Sequence, residues 1–303
     1  MEHRNRGLMV YTLIWKIENF SYSWHETGEK LVSPIFVTHM LHNTSWTLEL
    51  FPRGVENATY ISCFLNRNES DLPRNDMLSP CSPVWEVRYE FLATTSSGTT
   101  KEAFGSRTNF RTGQTLGFPF FMNRKEIVRK NQSSDDDYFV LQCRIHLNTR
   151  DNSNYTAKLL AKTHILVERY SLTRCYENYI AYDSIFAKHM DELPTLMIIR
   201  LMKLKTEDNL EIDLLPYDFC EYIRYSTCRL VLRDLHTQAS IYSFSTKVSG
   251  PFMPLAMKVS RFVLYPDNRG PLLGIRPIQL QFELAFSAGI KQQESEEISS
   301  SRI

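Results

Sequence analysis

Residues 84–91 alternate strictly, with Trp85, Val87, Tyr89 and Phe91 on one side of an extended chain and Glu86, Arg88 and Glu90 on the other. Successive side chains of a strand point to opposite faces, so this two-residue period marks a strand with one buried and one solvated face. The same period recurs. Trp46, Leu48 and Leu50 alternate with Thr47 and Glu49 and run into a turn at Pro52, Arg53 and Gly54. Phe139, Leu141, Cys143 and Ile145 alternate with Val140, Gln142, Arg144 and His146. Turn clusters such as Ser96, Ser97 and Gly98 divide these segments, and the one helix expected in this half is a turn or two around residues 123–129. Strands separated by turns, and not by long amphipathic helices, predict an all-β chain built as an antiparallel sandwich.

The polar run 148–154 interrupts the pattern, which then resumes. Leu210, Ile212 and Leu214 lead into Pro216 much as residues 46–50 lead into Pro52; Cys228, Leu230 and Leu232 lead into a turn at 234–237; Ile278, Leu280, Phe282, Leu284 and Phe286 form the most regular run. This order suggests an internal repeat, shorter in its second copy between Pro216 and Gly250 than in its first between Pro52 and Gly117. The length of 303 residues accommodates two domains. The expected organisation is a first domain over 8–148, a linker over 149–158, a divergent second β-domain over 159–288 and a disordered tail over 289–303, whose Gln, Glu and Ser offer little to bury.

A net charge of +1, from 35 basic and 34 acidic residues, supplies no field for a polyanion, so neither nucleic acid nor an anionic membrane surface is an expected partner. No apolar run approaches a bilayer span. The six cysteines (Cys63, Cys81, Cys143, Cys175, Cys220, Cys228) form no CxxC pair, which argues against both a zinc site and a disulfide scaffold. Sequons at Asn43, Asn57, Asn68, Asn131 and Asn154 suit a secreted chain, but residues 8–15 read as a first strand without a cleavage site behind it. Cytoplasm or nucleus is therefore the expected location.

Catalytic patterns are missing from the sequence. The eight histidines make no H-x-x-x-H helix, and no G-x-S-x-G elbow, P-loop or G-x-G-x-x-G is present. Asp135, Asp136 and Asp137 read as a solvated loop rather than a cation site. No enzyme, metal or cofactor is expected.

Several segments in order resemble a known family. Residues 15–21, Trp-Lys-Ile-Glu-Asn-Phe-Ser, resemble the W-x-I-x-N-F-S opening of MATH (TRAF-like) domains; residues 33–36, 46–54, 60–65 and 117–121 resemble the blocks that follow. Among MATH proteins the similarity is to the speckle-type POZ proteins and to arthropod proteins that join TRAF-like and POZ domains. Some of these carry a second, degenerate MATH domain, as expected here for residues 159–288. No POZ-like segment is recognised, so the resemblance implies the substrate-reading half of a cullin-dependent ubiquitin-ligase adaptor, with POZ-containing relatives as partners.

In the speckle-type relatives an extended Ser/Thr-rich peptide lies along one sheet and its apolar side chains enter an aromatic groove. Carried over block by block, the resemblance assigns that groove to Phe64, Val87, Thr108, Leu116 and Phe118, with Tyr89 replacing Val87 if the extra residue before Gly98 shifts the match. Relatives have aromatics at most of these positions, so a reshaped site and a different peptide motif are expected. On alternation alone Phe64 and Phe118 are core residues instead. Trp15, Trp46 and Trp85 are assigned to the core, and Gly117 to backbone geometry. Two other functions are weighed: a structural TRAF-like assembly, opposed by the lack of a heptad run before Tyr11, and an extracellular meprin-like glycoprotein, favoured by the sequons.

Overall fold

The first strand expected at residues 8–15 forms as β1 (Gly7–Glu18), whose inward residues Tyr11, Leu13, Trp15 and Ile17 are at most 1% exposed. The computed structural model describes residues 7–41, 43–68, 85–105, 107–128, 137–149, 154–176, 197–203, 210–216, 223–250, 255–259 and 278–302. Along these follow β2 (Leu31–Val32), β3 (Phe36–Thr38), β4 (Thr44–Phe51), β5 (Tyr60–Arg67), β6 (Trp85–Thr95), β7 (Thr100–Phe104), β8 (Thr108–Phe110) and β9 (Thr115–Asn123). A single helical turn, α1 (Lys125–Val128), lies where a helix is expected, and β10 (Tyr138–Thr149) and β11 (Tyr155–Tyr176) come next. The later strands are β12 (Met197–Lys203), β13 (Leu210–Pro216), β14 (Tyr225–Asp234), β15 (Ser240–Ser249), β16 (Leu255–Val259) and β17 (Ile278–Arg302).

The chain divides into two compact units, Met1–Ile165 with Ile290–Ile303, and Leu166–Gly289. In the first unit β1 pairs antiparallel with β10, β10 with β6, and β6 with both β7 and β8. A second sheet has the order β2-β4-β5-β9, with β3 also on β4. Their inner rows meet as a sandwich: Leu141, Cys143, Ile145, Trp46, Leu48, Leu50, Ile61, Cys63 and Leu65 are all fully buried. Each large apolar side chain so buried contributes about 1.5–3 kcal/mol against the unfolded chain. The alternation of residues 46–50 and 139–145 is therefore the pattern that makes the core. Trp15 and Trp46 are both 0% exposed, and each indole finds a partner, Trp15 Nε1 donating to Thr163 Oγ1 at 2.9 Å and Trp46 Nε1 to Thr38 Oγ1 at 3.2 Å. The Trp85 side chain lies outside the described residues.

Three expectations need correcting. The linker placed at 149–158 gives way at Tyr155, where β11 starts, pairing parallel with β1 from Met9↔Tyr155 to Glu18↔His164. Its inward row is Ala157, Leu159, Ala161, Thr163 and Ile165, all buried, and the small and hydroxylated members of that row hide its period in the sequence. Residues 150–153 lie outside the described set. The tail expected to be disordered continues β17 as far as Arg302, and its Gln293 Nε2 donates to Val32 O at 3.3 Å. Strand pairing is made by main-chain groups, so a segment poor in apolar residues can still occupy the place beside β11. Asp137, read as part of a solvated loop, is instead built into the fold: its Oδ2 accepts from the Ser21 amide at 2.9 Å and the Ser21 hydroxyl at 2.6 Å, holding the turn after β1. Asp135 and Asp136 lie outside the described residues.

The second unit is also built from strands. β12, β13 and β16 form one antiparallel sheet, with Ile212 opposite both Leu201 and Met257. In another, β14 pairs antiparallel with β17 and β15. Leu280, Phe282, Leu284 and Phe286 of β17 lie opposite Leu232, Leu230, Cys228 and Ser226 of β14, all 4% exposed or less. The run predicted as the most regular strand of this half is thus a buried row.

Candidate functional site

Strand order leaves β9 at the outer side of the second sheet, while β7 and β8 both flank β6 at the outer side of the first. β7 packs beside β9. One lateral opening of the sandwich is therefore walled by edge strands of both sheets, the arrangement an incoming extended segment requires.

Thr108 of β8 stands opposite Val87 of β6. Leu116 and Phe118 of β9 stand opposite Leu65 and Cys63 of β5, and residues directly opposite share a face, so both point inward, toward the first sheet. Thr108, Leu116 and Phe118 are all half-buried. The Phe118 ring lies 6.1 Å from Tyr89, 6.0 Å from Phe91 and 6.4 Å from Phe121, centroid to centroid. Phe91 and Phe121 are core residues, so Phe118 rests one side on the core and leaves the other at the opening.

Two of the five residues assigned to a groove do not line this opening. Val87 is 0% exposed, because β6 turns residues 87, 89, 91 and 93 inward beneath the second sheet. Phe64 is opposite Gly117, one residue out of phase with Cys63 and Leu65, and so points to the outer face of the second sheet. There its ring meets Phe51 edge-on at 5.5 Å. The core reading of Phe64 fails against this register.

Tyr89, the alternative to Val87, supplies the aromatic floor. It is 7% exposed and touches Phe91, Phe110 and Phe118. Burial, with the neighbouring thiols of Cys143 and Cys63, pushes its phenol above the ordinary value. Gly105, between β7 and β8, fits under this ring: a Cβ there would lie 2.5 Å from Tyr89 Cζ. Its amide donates to Tyr89 O at 2.9 Å. Glycine in a Phe-Gly pair next to an aromatic strand is the signal that points to this contact, and it is a weak one.

Arg67 holds the wall in place. Its guanidinium is buried, Nη1 donates to Phe110 O at 2.8 Å, and its main chain bonds Gln114 O at 3.1 Å and the Gly113 amide at 2.7 Å. Burial lowers its pKa. A buried arginine on an alternating strand is not recognisable in advance, since its spacing is that of the apolar row it joins. At the mouth, Arg107 and Glu86 lie 3.9 Å apart with more than half of each side chain exposed, a pair of little energetic weight.

The described residues contain no group of His, Cys, Asp and Glu able to hold a metal ion. No helix among them is long and apolar enough to cross a membrane.

The chain is 28% identical over 138 residues to TD and POZ domain-containing protein 4 of Mus musculus, an alignment covering 43% of this chain and 34% of that protein. It thus spans about a third of that relative's length. Among solved structures, TRAF5 of Notothenia coriiceps aligns over 44% of this chain and 72% of its own, at 17% identity and a TM-score of 0.33. Residues 12–145, the span that runs from β1 through β10, match the MATH domain family.

Proposed function

We propose that the first unit captures an extended, Ser/Thr-rich segment of another protein at the opening between β8 and β9. The half-exposed ring of Phe118, seated on Tyr89 and Phe91 where edge strands of the two sheets meet, carries this reading. Main-chain groups of an edge strand supply affinity to an added strand, and an aromatic pocket selects its side chains. Thr108 and Leu116, in place of larger aromatics, leave more room beside Phe118, which favours a peptide with a bulkier apolar side chain than the relatives take.

The name of the mouse relative joins this kind of domain to a POZ domain. We read the present chain, by analogy, as a substrate-reading component that works with POZ-containing relatives in protein degradation, without catalytic activity of its own. The second unit, divergent in sequence, serves as an additional partner surface or a spacer. An intracellular setting accords with the free thiols at Cys63, Cys143, Cys175 and Cys228.

The test is a peptide selected from a Ser/Thr-rich library on the intact chain. Phe118→Ala should weaken its binding at least about tenfold, as loss of an aromatic anchor does. Phe64→Ala, on the other face, should leave affinity unchanged. Equal losses from both variants, or none from either, would remove the opening as the site. For the degradation role, the chain in cell extract should recover a cullin only when a POZ-containing relative is present, and direct recovery would overturn that part.

A further inference from the structure

In the second unit, burial falls sharply from one strand to the next. Tyr242, Phe244, Thr246 and Val248 of β15 lie opposite Leu232, Leu230, Cys228 and Ser226 of β14. The β14 row is 2% exposed or less, whereas the β15 row is only half-buried. β15 ends its sheet, and among the described residues no strand lies along its other edge. From Tyr242 to Val248 its register with β14 is unbroken, and the segment contains no proline and one charge, Lys247, on the exposed row with Ser243 and Ser245. Natural edges are usually blunted by prolines, bulges, inward charges or lysines; residues 242–248 contain none of the first three and a single lysine, Lys247.

We infer that this edge is an interface for a second copy of the same chain, pairing β15 with β15 antiparallel about a two-fold axis through Ser245. The segment is self-complementary in that register. A two-fold axis perpendicular to the sheet keeps each face on its own side, so opposed residues must have the same parity. Centring on Ser245 brings Phe244 opposite the partner copy's Thr246 and Tyr242 opposite its Val248. By symmetry each pairing occurs twice, and aromatic–β-branched pairs are among the favourable cross-strand combinations. Lys247 then faces Ser243, so no like charges oppose. The added strand covers the apolar row that β15 leaves half-open and satisfies its outer main-chain groups.

Cysteine cross-linking on the intact chain, in a Cys81→Ser, Cys175→Ser, Cys220→Ser background that removes the exposed thiol among the described residues and the two cysteines outside them, tests the register. Residues facing each other across an antiparallel pair have Cα atoms about 4.5–5.5 Å apart, inside disulfide reach. Ser245→Cys should therefore trap a covalent dimer under mild oxidation. Ser243→Cys should not, because its two copies stand about 13 Å apart along the strands. Light scattering should show a dimer, and Ser245→Lys, placing two ammonium groups face to face on a solvent-exposed row, should raise its dissociation constant up to about fivefold while leaving the denaturation midpoint of the monomer unchanged. A chain that is monomeric at every concentration, a dimer indifferent to Ser245→Lys, or equal cross-linking at 243 and 245 would overturn the interface. An edge that accepts an extended peptide in place of a second copy would give the first of these results.

Discussion

Trp15 and Thr163 are joined by a hydrogen bond of 2.9 Å from the indole Nε1 to Oγ1, with both side chains 0% exposed. It couples β1 to β11 from inside the core. Thr163→Val keeps the shape and removes the acceptor, leaving a buried N–H unsatisfied at a cost of about 1–3 kcal/mol. Thr163→Ser should recover most of that loss. Denaturant midpoints of the three proteins decide it; equal midpoints for Val and Thr would mean the indole finds another partner.

The same contact bears on where the first unit ends. A fragment of residues 7–149 has the strands of both its sheets except β11 and the end of β17, and exposes the edge of β1 that β11 occupies. A fragment of residues 7–165 restores Ala157, Leu159, Ala161, Thr163 and Ile165 to the core. The longer piece should unfold at distinctly higher denaturant and resist proteolysis in β1. Indistinguishable fragments would put the boundary back near residue 149.

What alternation can reveal accounts for the difference between expectation and structure. Rows of large apolar residues, 46–50, 87–91 and 141–145, announce themselves because their inward positions are separated by polar ones. β11 does not, since Ala161 and Thr163 carry little hydrophobic contrast with Lys162 and His164. The face of Phe64 is set by its register with β9, where the pairing slips between Ile61 and Cys63. A slip of this kind is a property of two strands together, so no single segment records it. Phe118, in contrast, is read as core by its period and as groove by family resemblance, and its half-buried ring against Phe91 and Phe121 has something of each.

Below neutrality, Glu18 should set part of the acid response of the first unit. The hydrogen bond from Lys16 at 2.7 Å, and then the contact with His164 Nδ1 at 3.0 Å, hold its carboxyl below the ordinary value of 4.5. A depressed folded-state value means that the unfolded chain takes up the proton first. The stabilisation is complete above the unfolded value and is lost as pH falls through the lower folded one. Glu18→Gln should therefore be less stable than the natural protein above 4.5 and converge on it below. With 39% of the Glu18 side chain exposed, solvent screening keeps the difference small. Parallel stability curves for the two proteins across that window would show that the carboxyl is not the group responsible.

Thiol chemistry should separate the cysteines by their surroundings. Burial pushes Cys63 and Cys143 well above the ordinary thiol value and Cys228 up to about 12, whereas Cys175 is exposed. The thiolate is the reactive species, so iodoacetamide at mildly alkaline pH should label Cys175 in the folded protein and reach Cys63, Cys143 and Cys228 only after unfolding. Peptide mass mapping with and without denaturant reads this out. Rapid labelling of Cys63 or Cys143 under native conditions would mean that the sandwich opens far more readily than its packing implies.

Gly117 joins the stability of the sandwich to the shape of its opening. A methyl group there would fall inside contact distance of the Cys63 carbonyl oxygen and 2.5 Å from Phe64 Cα, both main-chain atoms of β5 that have no rotamer to yield. Gly117→Ala must therefore push β9 away from β5, at a cost on the order of 1–3 kcal/mol for overpacking, and carry Leu116 and Phe118 with it. Phe118→Ala acts differently. Its ring is half-buried, so removing it should cost less than the roughly 3–5 kcal/mol of a fully buried phenylalanine and leave β9 in place. Binding of the selected peptide and the denaturant midpoint, measured on both variants, should fall together for Gly117→Ala, whereas Phe118→Ala should lose far more binding than stability. A Gly117→Ala protein that keeps full affinity would mean that the position of β9 does not govern the site, and a Phe118→Ala protein with a collapsed midpoint and normal affinity would return Phe118 to the core.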